Sequence, residues 1–466
     1  MKLRHLINFF AFCLILSVSE VRAQSSAILS YQDFMTIVLA NHPIAKAADL
    51  LEMRSNSVSL NAVAQFDPKL MSDIERKYFK DTEYFTRWNS ELKVQTPFAA
   101  EFSVGYENND GAFLNNDLTV PSNGLAYATI KLPLLSGLMF DDNRFNLREA
   151  RLIAERNDLD RQIMINELVF QASVSYAKWL YSYLDVENYE QAVVVTQQRL
   201  ENSVALFENG DIPAIDTLES TINYNSMRFG LVKSQNKLIK AKQMLDMFIW
   251  DDQLNPMTSS EDLQPHALNI QEIKDWLENE EQGLLAQDVM DLPPLAMYDN
   301  KRSNLELKRN LIKEDLKPQL DLKYNTLLTV GGDNPINFNA NDYKFGVNFS
   351  YPFFTRKTRA KLQINEVEQL EVDLAFRAKR LETDLKIKNA IRQCDLLTDQ
   401  IDLVEMNIDM NGTLLEAERE KFQIGESSIF LLNQRELKLL KSRLDLNQTE
   451  IDLLEQYFEL RYLTFD

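Results

Sequence analysis

Residue types that most often carry chemistry are scarce in this chain. Its 466 residues include two cysteines, three histidines and twelve glycines. Cys13 lies in an N-terminal apolar run that reads as a leader, so a processed chain keeps only Cys394, with His42 and His266 as its histidines. No disulfide can then form within the chain, and a Cys/His zinc site lacks ligands. His42 stands beside Pro43 near a helix end and His266 follows Pro265 in a loop, so both are expected at the surface. There is no Ser-His-Asp arrangement, glycine-rich phosphate loop or nucleophile elbow. Carboxylate pairs abound, but 70 acidic residues produce them by chance. No catalytic residue, cofactor or metal site is expected, and an enzyme is disfavoured.

Long apolar runs are missing too. Lys2 and Arg4, the apolar Leu6 to Val18 and the small-residue exit Val21-Arg22-Ala23 make residues 1–23 a secretory signal. Thirteen residues are too few to span a bilayer, so no helical membrane anchor is expected. Positive charge is also short: 50 basic against 70 acidic residues give −20. Loss of Lys2, Arg4, Arg22 and Glu20 with the leader leaves 47 against 69, or −22. That balance excludes phosphate-based nucleic-acid binding. It suits a solvated acidic surface or a negative lumen favouring cations.

Glycine and proline are most conspicuously absent from two tracts, the 72 residues between Gly137 and Gly210 and the 59 between Pro352 and Gly412. The first is long enough for a helix of about 100 Å. Each tract runs on to a Phe-x-x-Gly turn, at Phe207 and at Phe422, followed by a second helix. Ahead of each tract the period switches from helical to alternating. In the first half these segments are Glu91 to Phe98, Glu101 to Tyr106 and Leu125 to Leu134; in the second, Gln319 to Leu327 and Tyr343 to Phe354. Pro133 and Pro352, 219 residues apart, mark equivalent points of an internal duplication.

This gives the expected organisation. After the leader come a helix (24–65), strands with a long loop or extra hairpin (66–137) and a long helical hairpin (138–250). A polar connector (251–294), with a short amphipathic piece at Ile273 to Leu277, joins the halves. The second half then has a helix (295–317), strands (318–355) and a second long hairpin (356–466), with Gly412 as a candidate bend. The fold class is α+β, a duplicated strand pair plus long α-helical hairpin. One-sided apolar strands suit a transmembrane barrel, but four to six strands cannot close one, so the chain must oligomerise. Tyr78, Phe79, Tyr84, Phe85, Trp88, Phe98, Tyr127 and Phe140 are candidates for interfacial girdles. A secreted or surface coiled-coil scaffold with a small soluble β-domain is the alternative.

The order of these motifs resembles the TolC family of outer-membrane efflux proteins over essentially the whole processed length. The motifs are the Leu29 to Pro43 helix ending Ala-Asn-His-Pro, Pro-Leu-Leu-Ser-Gly (133–137), Pro-Phe-Phe-Thr-Arg (352–356) and the two Phe-x-x-Gly turns. The resemblance implies a homotrimer forming an outer-membrane β-barrel and a periplasmic α-helical barrel, in contact with outer-membrane lipid. It implies a passive conduit of a tripartite efflux or type I secretion system, working with a periplasmic adaptor protein and an inner-membrane pump. The adaptor-contact turns would be Asn209, Gly210, Asp211, Ile424, Gly425 and Glu426, and a periplasmic gate would use Asp216 and Glu219. Leu431 and Gln434 hold the matching positions of the second repeat, so an acidic gate would be one-sided.

Overall fold

The computed structural model describes residues 28–260, 262–286, 288–331 and 336–466; the leader, residues 1–23, lies outside them. In chain order the elements are β1 (Ile28–Leu29), α1 (Tyr31–Asn41), α2 (Pro43–Val63), β2 (Lys69–Phe79), β3 (Thr82–Gln95), β4 (Glu101–Asp110), β5 (Leu125–Pro133), α3 (Asp142–Glu208) and α4 (Ala214–Asp246). There follow β6 (Gln264–Pro265), α5 (Ile270–Ala286), α6 (Pro293–Glu314), β7 (Gln319–Val330), β8 (Ile336–Ser350), α7 (Arg356–Gln423) and α8 (Ile429–Thr464). The two long helices run 67 and 68 residues, as the glycine- and proline-poor tracts predict, and α7 passes through Gly412 unbroken.

Three expectations need correction. The single helix over 24–65 is two, because Pro43 has no N–H to donate and holds His42 in an extended conformation (φ −65°, ψ 135°). The same break turns His42 inward. It is buried and stacks on Phe248 at 5.8 Å, and burial lowers its pKa. The connector's amphipathic piece is a helix of 17 residues, α5.

The contacts fall into two units. The first holds residues 28–43, Leu168–Gln282 and Ala390–Tyr462. Its core sets Ala177, Leu180 and Tyr181 of α3 against Leu454, Tyr457 and Phe458 of α8, with Trp276 of α5 packed alongside. Cys394 and Ile401 of α7 pack on Leu453. The Tyr176 hydroxyl donates to the carbonyls of Leu29 and His266, fastening the small β1–β6 pair to α3.

The second unit holds Ile44–Glu167, Gly283–Asn389 and Leu463–Asp466. Polar side chains knit its helices: Asn157 donates to Ser55, Asn300 to the Leu152 carbonyl and buried Asn365 to the Leu305 carbonyl. Its sheet has six strands in the order β2-β3-β4-β5-β7-β8, every neighbouring pair antiparallel. β3 and β4 therefore lie inside this sheet. β2 escaped the sequence reading because Ser72 and Arg76 interrupt its apolar alternation.

The register sorts the side chains by face, since directly paired residues share one. Leu70, Leu92, Val104, Ala128 and Thr326 form one rung and Ile130, Tyr324 and Phe345 part of another. Leu132, Leu322 and Val347 continue this apolar face. The opposite face carries Asp73, Arg87, Asn89, Glu91, Ser103, Lys131, Asp321 and Lys323. Burial is inverted: Ser103 and Thr129 on the polar face are buried, whereas Leu70, Val104, Ile130, Phe345 and Val347 are exposed. On the polar face Tyr127 donates to Asn89 and Glu91, and Lys93 pairs with Glu101 at 2.7 Å.

Aromatics gather at the sheet's margins. Phe79, Tyr84 and Phe113 cluster at the β2–β3 turn, with Tyr84 and Phe113 rings 4.8 Å apart. Phe98, Phe353 and Phe354 are exposed at the other margin. Phe140 does not join them: it is buried against Phe145, beneath Arg148.

Candidate functional site at the hairpin tips

Both Phe-x-x-Gly turns end their helices by the same device. Gly210 (φ +80°) donates to the Phe207 carbonyl at 2.9 Å, while Asp211 donates to Leu206 at 2.9 Å. Gly425 (φ +79°) donates to Phe422 at 3.1 Å, while Glu426 donates to Lys421 at 2.8 Å. This is the Schellman pairing, which satisfies carbonyls left over at a helix end. A β-carbon on either glycine would meet nothing within 4 Å, so conformation alone demands glycine there. Gly210→Ala is therefore expected to lower stability by about 1–2 kcal/mol through φ strain. Gly210→Asn should cost less, with thermal unfolding in detergent as the measurement.

The turns restart differently. Pro213 occupies the N-cap of α4, one residue ahead of the first helical turn where it was expected, and caps nothing with its side chain. Ser428 caps α8 by accepting from the Leu431 amide at 3.3 Å. Asp216 and Glu219 lie in the opening turns of α4, half-exposed, with no ion pair among the described residues. Ile424 and Leu431 are exposed apolar residues.

Behind the tips lies a network that the sequence reading missed. Arg199 of α3 makes a bidentate pair with Glu436 of α8 at 2.5 Å and donates to Asn433 at 2.8 Å. Asn223 of α4 donates to the same Asn433 oxygen at 3.0 Å, and Arg419 of α7 reaches Glu436 at 3.4 Å. One carboxylate and one amide thus tie all four hairpin helices together. The Arg199 and Glu436 side chains are only 13% and 14% exposed. Nearby, Glu418 accepts from Ser427 and from Arg435; the Ser427 hydroxyl, then Arg435, hold its carboxyl below the usual carboxylate range. These partners come from different helices, so no local spacing announces them.

Where α3 meets α4, Ser203 and Ser220 are both buried, with hydroxyls 2.9 Å apart. Beside the network a cleft of about 350 Å³ is lined by Ala192, Thr196, Met227, Gly412, Leu415 and Leu440. No group of His, Cys, Asp and Glu among the described residues could hold a metal ion.

The family model for "Outer membrane efflux protein" matches residues 305–464, the whole β7-β8-α7-α8 run with its turn. Residues 305–464, about a third of the chain, are thus similar to outer-membrane efflux proteins. Over most of its length, the part outside that match included, the fold is similar to those of solved outer-membrane proteins. The structure of the Vibrio cholerae outer membrane protein VceC is similar over 93% of this chain and 95% of that one, at 14% identity and TM-score 0.65. The Neisseria gonorrhoeae MtrE outer membrane channel is similar over 93% and 88%, at 12% identity and TM-score 0.62. The Campylobacter jejuni CmeC outer membrane channel is similar over 93% and 84%, at 11% identity and TM-score 0.63. No curated protein sequence matches the chain.

Proposed function

We propose that the chain is a passive export conduit, a homotrimer whose sheets close an outer-membrane barrel and whose hairpins wall a periplasmic tunnel. The observation that carries this reading is the inverted sheet, apolar where exposed and polar where buried. Such a face is stable against lipid, and a bilayer tolerates no open sheet edge, so further copies must complete the sheet. Exposed apolar residues at heptad spacing support the assembly: Ile215, Ile222 and Phe229 on α4, and Leu396, Leu403 and Met410 on α7. Seven-residue repeats of this kind are seams awaiting partner helices. The test is fractionation of cells making the full chain. It is expected to sediment with the outer membrane, resist carbonate extraction and run as a trimer on unheated denaturing gels. Release by carbonate, or a monomer under mild extraction, would overturn the proposal.

In this reading the chain performs no chemistry, and cargo is chosen mainly by an inner-membrane pump reached through a periplasmic adaptor. The turns Asn209-Gly210-Asp211 and Ile424-Gly425-Glu426 are the proposed adaptor contacts. Their open surroundings, with no neighbour near either glycine, leave room for such a contact. Asp216 and Glu219 form the proposed gate, three copies making a ring of carboxylates that attracts cations. Alanine at both positions is expected to weaken divalent-cation block and alter single-channel conductance; unchanged recordings would remove these acids from the gate.

A further inference from the structure

We propose that the sheet closes between copies in one specific register, β2 of one copy against β8 of the next, as a barrel of 18 strands. This inference rests on the trimeric reading above. β2 and β8 are the two edges of the six-stranded sheet, so three copies supply three times six strands. Because the strand order has even length and every neighbouring pair is antiparallel, the two edges run in opposite directions. Rotation about a barrel axis therefore brings them together as another antiparallel pair, continuous with the ladders already formed.

Charge selects the register. Asp73, Glu75 and Lys77 lie on the polar face of β2, and Lys344, Gly346 and Asn348 on the polar face of β8. Setting Lys69 opposite Ser350 places Glu75 opposite Lys344 and Lys77 opposite Asp342. It also places Leu70 against Phe349 and Ile74 against Phe345 on the apolar face. A slip of two residues one way sets Glu75 against Asp342; the other way sets Lys77 against Lys344. Like charges directly opposite destabilise a ladder, and a slip of one residue would exchange the faces. Glu75 already has Arg87 within 3.4 Å on its own sheet, so Lys344 would flank it from the other side.

Two independent features agree with this register. The β2 ladder shifts between Lys77 and Tyr78, and the regular part of β8 begins at Tyr343. The bulge-free stretches of the two edges, Lys69–Lys77 and Tyr343–Ser350, therefore face each other from Lys69 to Arg76, with Lys77 and Asp342 just beyond. The stagger is also suitable. Following direct partners across the sheet leads from Lys69 through Lys93, Ser103, Thr129 and Asn325 to Lys344. In the proposed register Lys344 then meets Glu75 of the next copy, an advance of six residues. Three copies advance as many residues as there are strands, the ratio that tilts strands by about 36° in an eight-stranded barrel of shear eight. Membrane barrels tilt by roughly 35–45°.

The experiment uses the full chain with paired cysteines. Met71→Cys with Asn348→Cys tests the proposed register; Met71→Cys with Gly346→Cys or with Ser350→Cys tests the slipped ones. Four strands separate these edges within one chain, so any link joins two copies. The proposal expects oxidation to give covalent dimers and trimers on heated gels, far more for the first pair than for the others. A slipped pair linking best would overturn the register, and no link in intact trimers would overturn the edge pairing. Absence of a wild-type trimer would instead overturn the reading on which this rests. Charge reversal gives a second measurement. Glu75→Lys or Lys344→Glu alone is expected to lower the temperature at which the trimer dissociates, and the two together to lower it by less than the sum, Arg87 beside position 75 limiting the recovery. Independent, additive losses would count against the pairing.

Discussion

Glu436→Gln is expected to be among the most damaging single substitutions in the helical hairpins, removing about 3–5 kcal/mol of stability. Arg199 is held in a largely buried position by both carboxylate oxygens, and Arg419 leans on the same group. Loss of the carboxylate leaves a buried guanidinium without its counter-charge, which costs far more than the pair itself contributes. The same logic fixes the expected rescue. Arg199→Met combined with Glu436→Leu removes both charges and should regain most of the loss, although Asn433 keeps its bond from Asn223. Unfolding in detergent, followed by helical circular dichroism, reads both effects. A Glu436→Gln protein within about 1 kcal/mol of wild type would show that water reaches Arg199 freely, the regime of exposed pairs.

The second large effect is a contrast of sign between two identical substitutions. Gly230 is buried on α4, and a β-carbon there would lie 2.1 Å from Cε1 and 2.7 Å from Cδ1 of Tyr189. The obstacle is the body of a ring on α3, so the helices must separate or the ring must leave its place. Gly230→Ala is expected to cost about 1–3 kcal/mol and to lower the melting temperature. Gly412 sits in the interior of α7, faces the cleft, and would place its β-carbon in open space. Gly412→Ala is expected to raise stability by about 0.5–1 kcal/mol, because glycine loses more backbone freedom when a helix forms. If both substitutions shift melting in the same direction, Tyr189 does not set the approach of α3 and α4.

These examples show what the sequence carried and what it withheld. Helix length was legible because glycine and proline stop helices locally, and the Phe-x-x-Gly turns because a left-handed residue is a local requirement. Alternation exposed β3, β4, β5, β7 and β8, but Ser72 and Arg76 hid β2. His42 was misread because proximity to a proline suggests a loop, whereas its burial depends on Phe248 and Trp250, two hundred residues away. The Arg199–Glu436 pair spans 237 positions and Gly230 answers to Tyr189; neither relation leaves a periodic trace. The candidate gate acids are the reverse case. Asp216 and Glu219 follow the first turn locally in the sequence, and their role as a gate stays a proposal.

The antiparallel order of the sheet has a consequence for how it can change size. β2 starts, and β5 and β8 finish, at the same margin, so the helices before and after the sheet all attach there. A hairpin can be added or removed without moving any attachment point, whereas a single strand cannot. Width of such a sheet is thus quantised by parity: two strands per chain, and six in the proposed ring of three. The sheet can widen through insertion of hairpins while the attachments to the helices stay where they are.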